Sequence, residues 1–191
     1  MYDVEDDFLE SPEMPLIKPI ATSLHYAALC GFCELVEHLL IKYPQHANAL
    51  GSGRGAALHA ASAQNHVEVA QLLLEHGSYV DVRGPHERSP LQLAARKGHL
   101  EIVRFLLDHG ANVDSRQNNL WTPLHYATLY GYADVSQMLL EHNADVNSRD
   151  QWAGFHCINH QRSHSTKVTI LALCGYYWST VRTWTQRIWK T

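Results

Sequence analysis

One stretch, SPLQLAARKGHLEIVRFLLDHGANVDSR from Ser89 to Arg116, recurs along the chain with only its surface positions altered. A unit this short cannot bury its own apolar stripe, so a chain built from it must stack copy on copy. Pro90 can open a helix, where its missing N–H costs nothing, and Leu91, Ala94 and Ala95 give that helix one small apolar face. Gly98 stops it. Ile102, Val103, Phe105 and Leu106 then lay a wider stripe at helical spacing on a second helix, which Gly110 ends by accepting a left-handed conformation. The unit is a helix–turn–helix followed by an extended arm, Asn112-Val113-Asp114.

The leucine after the proline position falls at Leu24, Leu58, Leu91 and Leu124, spacings of 34, 33 and 33. The helix starts read Thr22-Ser23-Leu24-His25, Ala56-Ala57-Leu58-His59, Ser89-Pro90-Leu91-Gln92 and Thr122-Pro123-Leu124-His125, and the turn positions are Gly31, Asn65, Gly98 and Gly131. A 33-residue period with a T-P-L-H-x-A start closely resembles the ankyrin repeat over about residues 21–152. The resemblance implies an all-α solenoid of stacked helix–turn–helix pairs joined by β-hairpin loops. Its expected units are 21–54, 55–87, 88–120 and 121–152. Repeats 1 and 2 depart most, since neither has proline at the helix start and repeat 1 carries Tyr43-Pro44 where repeats 2 and 3 have His-Gly.

The pairs are expected around Ser23–Cys30 with Glu34–Lys42, Leu58–Gln64 with Val67–Glu75, Pro90–Lys97 with Leu100–Asp108, and Pro123–Tyr130 with Ala133–Glu141. Residues 1–20 read as a flexible acidic leader, because Met1 to Pro19 holds six acidic residues and three prolines without a sustained period. A net charge of −4 gives no basic footprint for a general nucleic-acid binder, and the run from Val168 to Trp178 is far short of the ~20 residues a spanning helix needs. No nucleic-acid or membrane partner is expected. No secretory signal is visible, so the cytoplasm, or else the nucleus, is the expected setting. The four cysteines, Cys30, Cys33, Cys157 and Cys174, are too few and scattered for a disulfide scaffold and read as free thiols.

Past Trp152 the pattern fails: a fifth repeat should place its leucine near 157, where Cys157 stands. Read one base out of frame, the codons of Gly154 to Ile158 encode a hydrophobic residue, Pro or Ser, an obligatory Leu, then His or Tyr. The same shift over Gly175 to Thr185 yields two obligatory leucines and an arm-like ending with an obligatory Asp. Two readings of residues 153–191 compete, a natural divergent cap and a frame-shifted fifth repeat. The second is favoured because fitting residue classes recur at both landmarks of the repeat, although these lie five codons further apart than in repeat 3.

His156-Cys157-x-x-His160-x-x-x-His164 has the look of a zinc set, but the out-of-frame reading makes it accidental and no metal is expected. Cys30-Gly31-Phe32-Cys33 brackets an inter-helix turn rather than a redox centre. Most of the 14 histidines are accounted for by register: His25, His59 and His125 occupy the T-P-L-H position, where the resemblance implies that the ring orders the helix start. His66 and His99 follow the turn; His76, His109 and His142 end the second helix. No nucleophile has a visible base, no glycine-rich phosphate loop occurs, and neither enzyme nor cofactor is expected.

What remains is surface. The positions free to vary without harming packing are the hairpin tips and the exposed side of each first helix, one continuous concave face. On repeats 3 and 4 these are Arg83, His86, Arg88, Arg96, Lys97, Arg116, Asn119, Trp121, Leu129 and Tyr130. Arginine, tryptophan and tyrosine are the types that dominate binding hot spots. The expected function is therefore a non-catalytic module, monomeric, that binds a protein or peptide partner on a face centred on Arg88, Arg96, Lys97, Trp121 and Tyr130. Trp121 is expected to be free of packing duty, because its position carries Arg88 in repeat 3 and Gly55 in repeat 2. The alternatives are a fragment of a longer array from a multidomain signalling protein, and a metal-binding tail.

Overall fold

A computed structural model of the chain describes residues 17–51 and 55–151. Eight α-helices lie among them in four pairs: α1 (Ile17–Cys30) with α2 (Cys33–Lys42), α3 (Ala57–Gln64) with α4 (Val67–Glu75), α5 (Pro90–Lys97) with α6 (Leu100–Asp108), and α7 (Pro123–Tyr130) with α8 (Ala133–Glu141). Pro90 and Pro123 stand at the first position of their helices, as the sequence pattern requires. The first helix differs from expectation. It starts at Ile17, inside the segment read as leader, and Pro19 does not prevent this because it falls in the first turn, where a missing N–H breaks no helical bond. The tail 153–191 and its histidines lie outside the described residues, as does residues 1–16 of the leader.

Each pair is closed by a left-handed residue. Gly98, at φ +75°, lets His99 N donate to Ala94 O, and the next repeat comes close to this cap. A methyl group on Gly98 would lie 2.6 Å from the Tyr132 ring. Repeat 2 uses Asn65 at the same place, with φ 62°, consistent with the tolerance of asparagine for this region.

Two rows of helices follow from the apolar pattern. α1, α3, α5 and α7 pack successively in one row, and α2, α4, α6 and α8 in the other. Leu24, Leu58, Leu91 and Leu124 are buried at equivalent positions of the first helices, and the alanines behind them keep the first row thin. Val36, Leu40, Val69, Leu73, Ile102, Leu106, Val135 and Leu139 form the buried stripe of the second row. The loops between pairs are tighter than β-hairpins with paired strands. Main-chain bonds run across their bases, Gly51 N to Gly55 O (3.1 Å), Gly84 N to Arg88 O (2.9 Å) and Gln117 N to Trp121 O (3.3 Å), and no strand forms among the described residues.

Candidate functional site

The candidate face is set by what fastens one repeat to the next. In repeat 2 the His59 ring lies between Gly55 and Gly84; its Nδ1 accepts from Ala56 N (3.2 Å), so the proton is on Nε2, which donates to Arg88 O of the next repeat (2.9 Å). Burial holds the His59 pKa below the ordinary histidine value, against the raising effect of the Arg88 carbonyl, and the nearby His25 pushes the same way as burial. Repeat 3 replaces the ring with Gln92 and keeps the bonds: Ser89 N donates to Gln92 Oε1 (2.9 Å), while Gln92 Nε2 donates to Trp121 O (2.7 Å) and Ser115 O (3.0 Å). In repeat 4 Thr122 N donates to His125 Nδ1 (3.1 Å). The side chain at this position thus caps its own helix in all three repeats, and in repeats 2 and 3 it also pins the base of the following loop.

Other histidines work at the same seams. His66 Nε2 donates to Leu29 O and His99 Nε2 to Ala63 O, each reaching back to the preceding repeat. His76, His109 and His142 donate from Nδ1 to the carbonyl four residues earlier, closing the second helices. On the arms Asn48, Asp81 and Asp114 accept from the amides of Tyr79, Asn112 and Asp145. For His59, His66, His76, His99, His109, His125 and His142 the register reading therefore holds as local chemistry.

The loops of repeats 3 and 4 are tied together by side chains named in the sequence reading. Arg83 Nη1 donates to Glu87 O on its own loop and to Arg116 O on the next, both at 3.0 Å. Arg88 Nε donates to Gln117 Oε1 (3.1 Å), which also accepts from Tyr126 Oη (2.9 Å). Asn119 Oδ1 accepts from Gln117 Nε2 (2.6 Å) and Trp121 N (3.2 Å). Arg83, Arg88 and Asn119 are thus partly committed to holding the loops, a duty that no local sequence pattern announces. Gln117, buried at the centre of this network, is missing from the sequence reading for the same reason.

Trp121 corrects an expectation. It is half-buried, packs against the core, and its ring stacks on His125 (centroids 6.2 Å apart) and meets Tyr126 edge-on (5.1 Å). Packing does shape this position. The variation from Gly55 to Arg88 to Trp121 reflects a different neighbour in each repeat: Gly55 lies against the His59 ring, Arg88 reaches Gln117, and Trp121 covers His125 and Tyr126.

The remaining predicted residues are on display. His86, Lys97, Arg116 and Tyr130 are exposed, Arg96 and Leu129 half-buried, and Tyr130 stacks beside Tyr132 (6.3 Å). Leu120, absent from the sequence reading, is also exposed and is held at φ 65°. Such a φ is costly for a bulky residue. Only the backbone dihedral reveals it. Cys30 and Cys33 are free thiols, and among the described residues no group of three or more His, Cys, Asp or Glu side chains could hold a metal ion. No helix among them is long and apolar enough to cross a membrane.

The family model for ankyrin repeats (3 copies) matches residues 24–117 and 80–150, two overlapping spans that run from Leu24 to Asp150. The chain belongs to the ankyrin-repeat family. No curated protein matches it. Ankyrin repeats are generally protein–protein interaction modules and typically non-enzymatic. In this ankyrin chain the seam residues His59 and Gln92 and the loop ties of Arg83 and Gln117 separate a fastened framework from the side chains it displays.

Proposed function

We propose that the chain is a non-catalytic protein-binding module whose partner docks on the loop tips and first-helix surface of repeats 3 and 4. His86, Arg96, Lys97, Arg116, Leu129 and Tyr130 make the contacts; Arg83, Arg88, Asn119 and Trp121 hold the surface in shape. The observation that carries this reading is the contrast within one face. Among the described residues the side chains of His86, Arg96, Lys97 and Arg116 engage in no hydrogen bond or ion pair, while those beside them are tied into a network. A preordered surface loses little entropy on binding. The same proposal includes a cytoplasmic or nuclear setting, a monomeric chain and no nucleic-acid partner.

The test is selection from a displayed peptide library with the full chain as bait, followed by affinity measurements on the peptides recovered. Arg96→Glu combined with Tyr130→Ala is expected to weaken binding tenfold or more, whereas Arg104→Glu, exposed on α6, leaves it within about twofold. Equal losses from both variants would refute the assignment of the face.

A second reading, a segment of a longer ankyrin array, is favoured by repeat 1. Leu35 is 45% exposed, while its counterparts Val69, Ile102 and Val135 are at most 1% exposed beneath the preceding repeat. Phe32 stands where His66 and His99 bond back to a preceding repeat.

A further inference from the structure

The face on repeats 3 and 4 concentrates positive charge on a chain whose net charge is −4. Arg83 and Arg88 give their donors to neutral oxygens, the Glu87 and Arg116 carbonyls and the Gln117 amide, so the hydrogen bonds fix the guanidinium groups without neutralising them. Lys97 and Arg116 add two exposed cations, Arg96 a half-buried one, and Leu120 sets an exposed apolar side chain, 40% accessible, on the loop of repeat 4. A ligand matched to this surface carries several carboxylates and at least one large apolar side chain.

The chain contains a segment of that composition. Asp3-Val4-Glu5-Asp6-Asp7-Phe8-Leu9-Glu10 holds five carboxylates around Phe8-Leu9 and no cation. Its attachment point is on the right side of the molecule. In register with Ala57 and Pro90, α1 would begin at Ser23; it begins at Ile17 instead, and the added residues prolong it from the end at which the other first helices emerge from their loops. Its reach is also sufficient. Nine residue-to-residue steps lead from Phe8 to Ile17, about 30 Å when extended, and three steps along the first-helix row, from α1 to α7, cover about 24–30 Å at ordinary helix spacing.

We propose that the acidic segment Asp3–Glu10 docks in cis on the cationic face formed by Arg83, Arg88, Arg96, Lys97 and Arg116, with Phe8 against Leu120, and competes there with the protein partner. This rests on the reading of the same face as the partner-binding surface. Tethering raises the local concentration of the segment to the millimolar range, so weak contacts suffice to occupy the face, and a partner has to displace them.

The test uses the full chain and a leader-neutralised full chain (Asp3→Asn, Glu5→Gln, Asp6→Asn, Asp7→Asn, Glu10→Gln), with a fluorescein-labelled synthetic peptide of residues 1–16 as probe. The amide spectrum of the neutralised chain is expected to differ from wild type at Lys97 and from Arg116 to Leu120, and the difference to fade as salt is raised to about 0.5 M. The peptide is expected to bind the neutralised chain, and Lys97→Glu with Arg116→Glu to weaken it tenfold or more, with melting curves establishing that both variants are folded. Library-selected peptides are expected to bind the neutralised chain several-fold more tightly than wild type. Spectral differences confined to residues 17–30, or peptide binding indifferent to the charge reversal, would overturn the inference. If selected peptides still need Arg96 and Tyr130 while the leader has no effect on them, the inference fails and the binding-face reading survives; if no selected peptide depends on that face, both fail.

Discussion

Replacing His59 with glutamine repeats in repeat 2 the exchange the chain already makes in repeat 3. His59 accepts from Ala56 N and donates to Arg88 O; Gln92 accepts from Ser89 N and donates to Trp121 O, at comparable distances. His59→Gln should keep both bonds, with a change of about 1 kcal/mol at neutral pH for the lost ring contacts with Gly55 and Gly84. Its pH dependence should differ from wild type. Burial lowers the His59 pKa in the folded chain, so below the ordinary value of about 6.5 the unfolded chain binds a proton that the folded chain does not. Stability from this group is complete above pH 6.5 and is lost as pH falls, at up to about 1.4 kcal/mol per pH unit. Urea unfolding of both proteins at pH 7.5 and 5.5 reads it: acidification should favour the variant relative to wild type. His59→Ala, which orphans the buried Ala56 amide and leaves the Arg88 carbonyl with Gly84 N as its partner, should cost about 1–3 kcal/mol at either pH. Parallel pH profiles for wild type and His59→Gln would refute the account of the seam.

Trp121→Ala should lower stability by about 2 kcal/mol, a partial version of the loss for a fully buried tryptophan, measured as a shift in the urea midpoint; a loss under about 0.5 kcal/mol would mean that the stack on His125 and Tyr126 contributes little. Gly98→Ala should cost about 1–3 kcal/mol, from a left-handed φ and a methyl group 2.6 Å from Tyr132, and the added Tyr132→Ala should recover part of it in a double-mutant cycle. Arg83→Ala should change stability by less than about 1 kcal/mol while amide exchange at Glu87 and Leu120 quickens as the two loops come apart. Truncation after Asp150 should leave the four repeats unfolding in one cooperative transition by circular dichroism, since each retains its neighbour; loss of cooperativity would mean that residues beyond it are a true cap.

The helix pairs were legible because their signals are local. Pro90 and Pro123 mark starts, Gly98 and Gly131 mark stops, and a 33-residue period allows weak copies such as Ala56-Ala57-Leu58-His59 to be read from strong ones. The early start of α1 was hidden because Pro19 reads as a breaker until it is known to lie in the first turn. The site was legible in outline, since loop and first-helix positions follow from register. Its internal division was not. Arg83 bonding to a carbonyl 33 residues away, Gln117 joining Arg88 to Tyr126, and Trp121 covering His125 depend on which side chains face each other across a seam, and alignment to the repeat shows those positions only as variable. Gln92 makes the converse point, since an apparent departure from the T-P-L-H pattern preserves the bonding of histidine.

The most direct test of the binding face is an amide chemical-shift map of the labelled full chain titrated with a library-selected peptide. The account predicts perturbations at His86, Lys97, Arg116, Leu120 and Tyr130 on the loops and first helices of repeats 3 and 4. Perturbations centred instead on Gln71, Arg104 and Gln137, exposed on α4, α6 and α8, would contradict it.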